Sequence, residues 1–212
     1  MMRLAAALGA FAMAAGLAGC SALPDKPVRA TLYDFGPGAM AAQPAGQQPA
    51  LVLADIDASG ALDGTSILYR LGYADAQQLR PYAQARWSAP PPQLVRQRLR
   101  QMLGRDRVVL DQGDNSALAR TGGLSPRVLR LDLEEFSHLF ESPTESWGLL
   151  RLRATLMENT SAGEKLLDQR SFVVRKPAPT PDAPGGARAL AAATDAAAEE
   201  IGQWLAQQRP AR

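Results

Sequence analysis

Groups that carry chemistry are scarce in this sequence, because its 212 residues include one cysteine and one histidine. A lone cysteine forms no disulfide within the chain, and zinc sites usually draw several ligands from cysteine and histidine. The sequence therefore argues against a disulfide framework and against a metal centre. The histidine, His138, lies in a polar stretch with Glu135, Ser137 and Glu141, which predicts a surface position.

A basic cluster is also missing. The 23 basic and 21 acidic residues are interspersed, whereas nucleic-acid-binding proteins usually carry their positive charge on one face. We therefore expect no nucleic-acid partner and a mixed, solvated surface.

Catalytic motifs are absent as well. The glycine pairs at 122–123 and 185–186 lack the context of a phosphate-binding loop. Glu134 and Glu135 are adjacent in a predicted strand, so their side chains should point to opposite faces and cannot form an acid–base pair. We expect a protein that is not an enzyme and needs no cofactor. A hydrolase stays open as an alternative, because His138 could meet a serine and an acid in space.

Long apolar runs are confined to the start of the chain. Arg3 precedes an apolar run over residues 4–17, which is typical of a signal peptide and shorter than the roughly 20 residues of a membrane-spanning helix. Leu17-Ala18-Gly19-Cys20 follows directly. These four residues resemble the lipobox of bacterial lipoproteins, in which a leucine and two small residues precede the lipidated cysteine.

The lipobox resemblance implies a covalent lipid on Cys20. It implies transfer of a diacylglyceryl group to the thiol, cleavage before Cys20, and acylation of the new amine by a fatty acid such as palmitate. Several acyl chains anchor more firmly than one, because each buried methylene contributes about 0.8 kcal/mol. Ser21 stands where aspartate would favour inner-membrane retention in enterobacteria, so we expect the periplasmic face of the outer membrane. The alternative is an ordinary secretory signal with a coincidental cysteine.

The chain divides into four parts on these patterns. We expect a lipoprotein signal peptide at 1–19, a lipidated N-terminus and tether at 20–31, a single domain at 32–208 and a short tail at 209–212. A domain of this length can bury a core without metals or disulfides.

Alternating apolar and polar residues predict the strands of the domain. The clearest runs should form an antiparallel meander and lie near residues 129–134, 150–156 and 166–175. Shorter strands are expected at residues 51–56, 67–71 and 78–82. The last of these should lie at a sheet edge or end at Pro81, because proline has no amide proton to donate.

Two helices are expected. Ser88 and the prolines after it predict the start of the first, since proline fits the first helical turn, and Gly104 predicts its end. An alanine-rich helix should occupy residues 187–208, with a packing face of Leu190, Ala197, Ile201, Trp204 and Leu205. The order of elements predicts an α+β fold, with an antiparallel-rich sheet and two main helices packed on one face.

Large side chains are concentrated at the connection between two predicted strands. They are Phe136, His138, Leu139, Phe140 and Trp147. Exposed aromatic residues at this position would contact a partner protein or an acyl chain. The alternative is that they cap the core of a long twisted hairpin.

Several short motifs occur in a fixed order up to the first predicted helix. They are Tyr33-Asp34-Phe35-Gly36-Pro37, Leu68-Tyr69-Arg70, Tyr82-Ala83, Arg86-Trp87, and Pro90-Pro91 leading through Leu94 to Leu99. In this order and spacing the chain resembles the ABC-type transport auxiliary lipoproteins, which accompany Pqi- and Mla-type lipid transport systems. The later strands and the alanine-rich helix agree in layout, so the resemblance extends over residues 32–208.

The resemblance implies a non-catalytic periplasmic domain held at the outer membrane. Its partners would be an MCE-domain protein and an inner-membrane ABC permease and ATPase, with phospholipid as a candidate cargo. The candidate contacts to partner or lipid are Tyr69, Arg70, Arg86, Trp87, Phe136, Phe140 and Trp147. The alternative for the Tyr-Arg and Arg-Trp pairs is that they hold the sheet to the first helix.

Two further functions share the anchor. One is a stand-alone periplasmic lipid-binding carrier, with an apolar groove beneath the connection between residues 136 and 147. The other is a pilot or assembly lipoprotein for an outer-membrane complex, which has the anchor without the Tyr-Arg and Arg-Trp pattern. The sequence leaves the lipid, the transport direction and the oligomeric state open, a homo-oligomer included.

Overall fold

The computed structural model describes residues 29–38, 48–113, 126–160 and 162–208. The predicted signal peptide, Cys20, Ser21, most of the tether and the C-terminal tail lie outside the described residues. Within these ranges the chain forms one sheet and two long helices, so the predicted α+β class is confirmed.

The described elements follow one another along the chain as eight strands, two α-helices and one short 3-10 helix. They are β1 (Thr31–Tyr33), β2 (Leu51–Ala58), the 3-10 helix (Gly60–Leu62), β3 (Ser66–Leu71), β4 (Asp75–Trp87), α1 (Pro91–Leu103), β5 (Val109–Leu110), β6 (Arg127–Phe140), β7 (Ser146–Thr160), β8 (Gly163–Pro177) and α2 (Ala183–Gln207).

Strand β6 is the centre of the sheet because it pairs with three other strands. β7 runs antiparallel along one edge of β6, from Val128 to Phe140. The opposite edge is shared in tandem, since β2 pairs in parallel with the first half of β6 and β3 pairs in parallel with its last three residues. β8 extends the sheet beyond β7, β4 and β1 extend it beyond β3, and β5 lies beside β2.

The predicted antiparallel meander is confirmed as β6, β7 and β8. The sheet as a whole is mixed, however, because the β1–β4, β2–β5, β2–β6 and β3–β6 pairs are all parallel. Parallel partners are joined by long connections, and the periodicity within one strand does not reveal them.

Pro81 lies inside β4 and does not end it. β4 continues to Trp87, so a strand end at the proline was a wrong prediction. Its edge position is confirmed, because β1 pairs only with Ala85–Trp87 and the described strands leave the other side of Pro81 unpaired. Edge strands are where sheets tolerate proline, because one side of such a strand has no ladder to complete.

Both helices begin at places that the local sequence explains. Pro90 caps α1 and Pro91 is its first residue, so Ser88 lies too far upstream to cap it as predicted. Gly104 ends α1 as expected. α2 begins at Ala183, four residues before the predicted start, because the carboxylate of Asp182 accepts a hydrogen bond of 2.8 Å from the Gly185 amide.

The two helices pack side by side on one face of the sheet, as predicted. The core between the layers includes the predicted stripe of α2 and the inward leucines of β6, namely Leu129, Leu131 and Leu133. The other face, here called the open face, carries Arg130, Arg151 and Arg153 among other polar residues. The alternation of β6 and β7 thus separates the core from solvent.

A β-bulge interrupts β6 between Leu133 and Glu135. The extra residue reverses the inward–outward alternation, so Phe136 and Leu133 face the same core. The expectation that Glu134 and Glu135 point to opposite faces is therefore wrong. Both carboxylates bind arginines of the open face: Glu134 contacts Arg153, and Glu135 contacts Arg70.

Residues 33–37, the N-terminal strap, run from β1 across the core to α1. The Phe35 ring packs edge-on against Trp87 with centroids 5.5 Å apart, and lies 6.0 Å from the Phe136 ring. Ser88 donates its amide hydrogen to the Tyr33 carbonyl at 2.8 Å. The strap therefore closes one end of the hydrophobic core.

Arg98 joins the strap to both helices. Its side chain is only 8% exposed, it donates to the Phe35 carbonyl, and its Nε lies 3.0 Å from Oδ1 of Asp195 on α2. Burial raises the pKa of Asp195, and the charge of Arg98 opposes that rise. Loss of Asp195 would be destabilising, because the charge of Arg98 would stay buried without its ion-pair partner.

We expect replacement of Phe35 by alanine to lower the free energy of unfolding by about 2 kcal/mol. This is less than the loss at a fully buried phenylalanine, because the Phe35 ring is part-exposed. Leu32→Ala is the matched control, since Leu32 is 67% exposed and should change the free energy of unfolding by less than about 0.5 kcal/mol. Urea unfolding followed by tryptophan fluorescence measures both. Equal effects of the two substitutions would show that the strap does not stabilise the core.

Candidate functional site

The seven candidate contacts separate into buried and accessible side chains. Trp87, Phe136 and Phe140 are buried in the core, so the expectation that they contact a partner at the surface is wrong for the folded domain. For the two phenylalanines the reason is the β6 bulge, which directs both rings toward the helices. The remaining candidates, part-exposed in the structure, are Tyr69, Arg70, Arg86 and Trp147.

Four rings stack beneath the start of α2. The Tyr69 and Tyr82 rings lie 4.7 Å apart, the His138 and Phe140 rings lie 4.4 Å apart, and Tyr69 meets Phe140 at 6.1 Å. His138 is fully buried, so its predicted surface position is wrong. The polar neighbours in sequence belong to the other face of β6 or to the turn after it, which sequence proximity does not distinguish.

Glycine allows α2 to approach this cluster. A Cβ atom at Gly186 would collide with the His138 ring, and one at Gly148 in β7 would collide with the backbone of α2 at Ala189. The two glycines therefore permit the close helix–sheet contact that buries the histidine. We expect any larger residue at either position to displace the first turns of α2.

The only described side-chain hydrogen bond of His138 joins its Nδ1 to the Tyr82 hydroxyl, at 2.8 Å. Among the described residues its Nε2 has no hydrogen-bond partner, and neither does the buried hydroxyl of Ser137 or of Ser146. The serine–histidine hydrogen bond of a hydrolase is therefore not formed here, and the hydrolase alternative has no support in this geometry.

Burial sets the ionisation of this pair. It lowers the pKa of His138 to about 4, against the opposing attraction of the Asp182 carboxylate. The pKa of Tyr82 is raised, first by burial and then by the nearby charges of Tyr69 and Asp182. Both rings are therefore uncharged at neutral pH. His138 then packs in the core in the same way as the neighbouring aromatic rings.

Arg70 is committed to internal contacts. Its Nε and Nη2 donate to the two carboxylate oxygens of Glu135, each at 3.1 Å, and its Nη1 donates to the carbonyls of Ala76 and Gln77, each at 3.2 Å. A guanidinium that grips a carboxylate with two parallel bonds is held firmly. Arg70 therefore fastens the start of β4 to β6 and has few donors left for a partner.

Arg86 has a similar role in β4. Its Nη1 donates to the carbonyls of Tyr82 and Ala85, the latter at 2.9 Å. These carbonyls lie where the pairing of β3 with β4 is irregular, between Ser66 and Leu68. Arg70 and Arg86 thus make their contacts within the sheet, and these contacts do not join the sheet to the first helix as the alternative for the two motifs expected.

Trp147 differs, because it lies on the open face. Its Nε1 donates to Glu141 Oε2 at 3.0 Å, and the Arg175 guanidinium lies 5.0 Å from the ring centroid. Arg175 also pairs with Glu141, so three side chains hold one another in place. Next to them on the open face, Leu149 is part-exposed and Val173 is 57% exposed. An ordered tryptophan with apolar neighbours is typical of the centre of a protein interface.

The space expected to hold an acyl chain is filled. The connection between residues 136 and 147 covers the packed rings of Phe136, His138 and Phe140. Two solvent-open grooves lie instead on either side of the strap, and Arg98 lines both. The described part of the chain therefore offers no apolar tunnel beneath this connection for a lipid carrier.

The described ranges contain neither a candidate metal site nor a candidate membrane-spanning helix. No group of three histidine, cysteine, aspartate or glutamate side chains there could hold a metal. Neither described α-helix is long and apolar enough to cross a membrane.

We expect the stability of the domain to fall as the pH is lowered from about 6.5 to about 4. In this window the histidine is protonated in the unfolded chain, whereas His138 stays neutral in the folded domain. The free energy of unfolding therefore falls by up to about 3 kcal/mol. His138→Gln should remove that part of the pH dependence. Denaturant unfolding at several pH values measures the difference between the two proteins, in which the carboxylate contributions cancel. Parallel pH profiles would contradict the buried neutral histidine.

Known proteins share this architecture. Protein XCC0632 of Xanthomonas campestris superposes with a TM-score of 0.65 at 20% identity, over 84% of this chain and 98% of that one. A second, uncharacterised protein superposes with a TM-score of 0.61 at 14% identity, over 84% and 99%. At these identities the similarity shows the fold alone. No curated protein matches the sequence.

Sequence similarity gives the family. The family model described as "ABC-type transport auxiliary lipoprotein component" matches residues 33–202, from the strap to the last turns of α2. The match contains all the motifs from Tyr33 to Leu99 and the whole described sheet apart from the first two residues of β1. The chain therefore belongs to the ABC-type transport auxiliary lipoprotein component family.

Proposed function

We propose that this protein is a non-catalytic lipoprotein of the outer membrane that docks an MCE-type ABC lipid transport system at the periplasmic face. The observation that carries the proposal is the family match over residues 33–202, since the family is an auxiliary component of ABC-type transport. An MCE-domain protein and the inner-membrane permease and ATPase are the proposed partners, and lipid is the cargo of the complex.

A docking role fits the packing better than a carrier role. A carrier needs an apolar cavity that can open, whereas the core beneath residues 136–147 is closed by stacked rings. The open face carries instead a part-exposed apolar cluster of Trp147, Leu149 and Val173. We propose that the partner contacts this cluster, and the contacts of Trp147 with Arg175 and Glu141 support this by holding the ring in place.

The tether sets how far the domain can stand from the membrane. Ten residues separate Cys20 from Thr31, and such a segment spans at most about 40 Å between the two Cα atoms. The domain can therefore reach partners that project into the periplasm while its lipid stays in the bilayer.

We expect Trp147→Ala to reduce recovery of transport partners at least tenfold when the lipidated protein is purified from membranes. Large-to-small substitution at an interface centre typically costs 2 kcal/mol or more of binding. Tyr73→Ala is the matched control, because Tyr73 is 49% exposed, lies in the β3–β4 turn and is not part of the cluster. Mass spectrometry of the co-purified proteins and extracted lipids measures the outcome.

The molecules that co-purify with the protein distinguish between the candidate roles. An MCE-domain protein with a permease or an ATPase supports the docking role. Lipid without these subunits would favour a free carrier, and a secretin or a barrel-assembly protein would favour a pilot lipoprotein. Equal losses in the tryptophan and tyrosine variants would remove the docking contact from the open face.

The anchor is tested by two substitutions at adjacent positions. Cys20→Ala should abolish acylation and remove the protein from the outer-membrane fraction, because no lipid attaches. Ser21→Asp should keep the lipid but move the protein to the inner membrane in an enterobacterial host. Sucrose-gradient separation of the two membranes and metabolic labelling with palmitate measure the two effects. Outer-membrane recovery of the cysteine variant would contradict the lipid anchor.

A further inference from the structure

A small cleft lies at the far end of the sheet from the strap, where β2 and β5 begin and α2 ends. Its cavity measures about 60 Å³ and its walls include apolar side chains of three elements. Its lining residues are Pro49, Leu51, Arg107, Arg127, Leu156 and Leu205, together with neighbours in the same segments. Two arginines thus face one enclosed space at a site that no motif of the family singles out.

Arg107 is the unusual member of this cleft. It is only 6% exposed, yet its guanidinium makes no hydrogen bond or ion pair with the described residues, and its Nε is a buried donor without an acceptor. Burial lowers the pKa of Arg107, with Asp106 opposing, but a guanidinium stays charged in proteins. An unpaired buried charge is costly enough that proteins normally provide a counter-charge.

The protein groups near the cleft do not fully provide that counter-charge. The carbonyl end of α2 carries about half a negative charge, and Arg127 already donates to its Gln208 carbonyl. Asp168 accepts hydrogen bonds from Trp204 Nε1 at 2.9 Å and from Gln208 Nε2 at 2.6 Å. Asp168 is therefore committed to other donors, and Arg107, which lines the cleft, retains a buried donor without an acceptor among the described residues.

We propose that this cleft binds a single oxyanion group, a phosphate or a phosphodiester, with Arg107 as its principal donor. A cavity of this size holds about four waters, which is comparable to one tetrahedral oxyanion. Arg107 binds the anion through its fork of donors, as guanidinium groups commonly bind phosphates. Arg127 adds positive charge beside it.

The apolar wall of the cleft determines which phosphates fit. Pro49, Leu156 and Leu205 lie beside the arginines, so an organic substituent on the phosphate would meet apolar surface rather than charge. Inorganic phosphate and the phosphodiester of a lipid headgroup share the recognised chemistry. The proposal does not depend on the docking role, because it concerns the isolated chain.

Thermal unfolding of the lipidated full-length protein in neutral detergent tests the proposal. Sodium phosphate at 50 mM, compared with chloride at equal ionic strength, should raise the Tm of the wild type by several degrees, because a ligand that binds only the folded state stabilises it. Arg107→Met should weaken phosphate binding at least tenfold and abolish the rise. Arg105→Met is the matched control, since Arg105 is exposed in the same loop and its loss should leave the rise intact.

The readout is the dependence on phosphate and not the Tm itself, because removal of an unpaired buried charge can raise stability on its own. If the methionine variant does not fold, the Nε–Hε resonance of Arg107 in the wild type decides. It should shift on titration with phosphate. A phosphate effect of equal size in the wild type and in Arg107→Met, or a wild type that does not respond, would overturn the proposal.

A comparison of two probes identifies the source of the oxyanion. Dihexanoyl phosphatidylglycerol, used below its micelle concentration, presents a lipid phosphodiester, and inorganic phosphate presents the bare anion. Binding of the lipid at least tenfold tighter than phosphate would assign the site to a phospholipid headgroup. Binding of phosphate alone, lost in Arg107→Met, would assign it to a free oxyanion.

Discussion

The bulge in β6 is the constraint on which the rest of the structure depends. It lies between the part of β6 that pairs with β2 and the part that pairs with β3, so one inserted residue separates two different partners on the same edge. Because the insertion reverses the alternation, Phe136, His138 and Phe140 join the core while Glu134 and Glu135 become available to arginines. Without it, the second half of β6 would turn its polar face toward the helices.

The family motifs gain a physical meaning from this arrangement. Arg70 binds Glu135 next to the bulge, Phe35 packs on Trp87 and Phe136 just beyond it, and Arg86 secures the irregular part of β4. The motifs therefore describe how the chain folds around one irregular strand. Residues that distinguish one partner from another have to be sought elsewhere, on surfaces such as the one around Trp147.

Much of the fold follows from local patterns. The alternation in β6, β7 and β8, the stripe of α2 and the end of α1 at Gly104 were all predictable, because each depends on neighbouring residues. The parallel partners of β6 and the burial of His138 were not predictable, because they depend on a bulge and on the close approach of α2 at Gly186. Within the candidate site, the sequence grouped Trp147 with Phe136 and Phe140 and could not tell that only Trp147 is part-exposed.

The position of the strap has a mechanical consequence. Any tension that reaches the domain from the N-terminal side enters at β1, where only Thr31, Leu32 and Tyr33 pair with β4. The load then passes to the Phe35 carbonyl, which accepts a hydrogen bond from Arg98 of α1, and to the Phe35 ring, which packs against Trp87. A pull along the axis of β1 loads its hydrogen bonds to β4 in shear, so they resist together instead of opening one at a time. The short strand and the strap thus share a load that neither would carry alone.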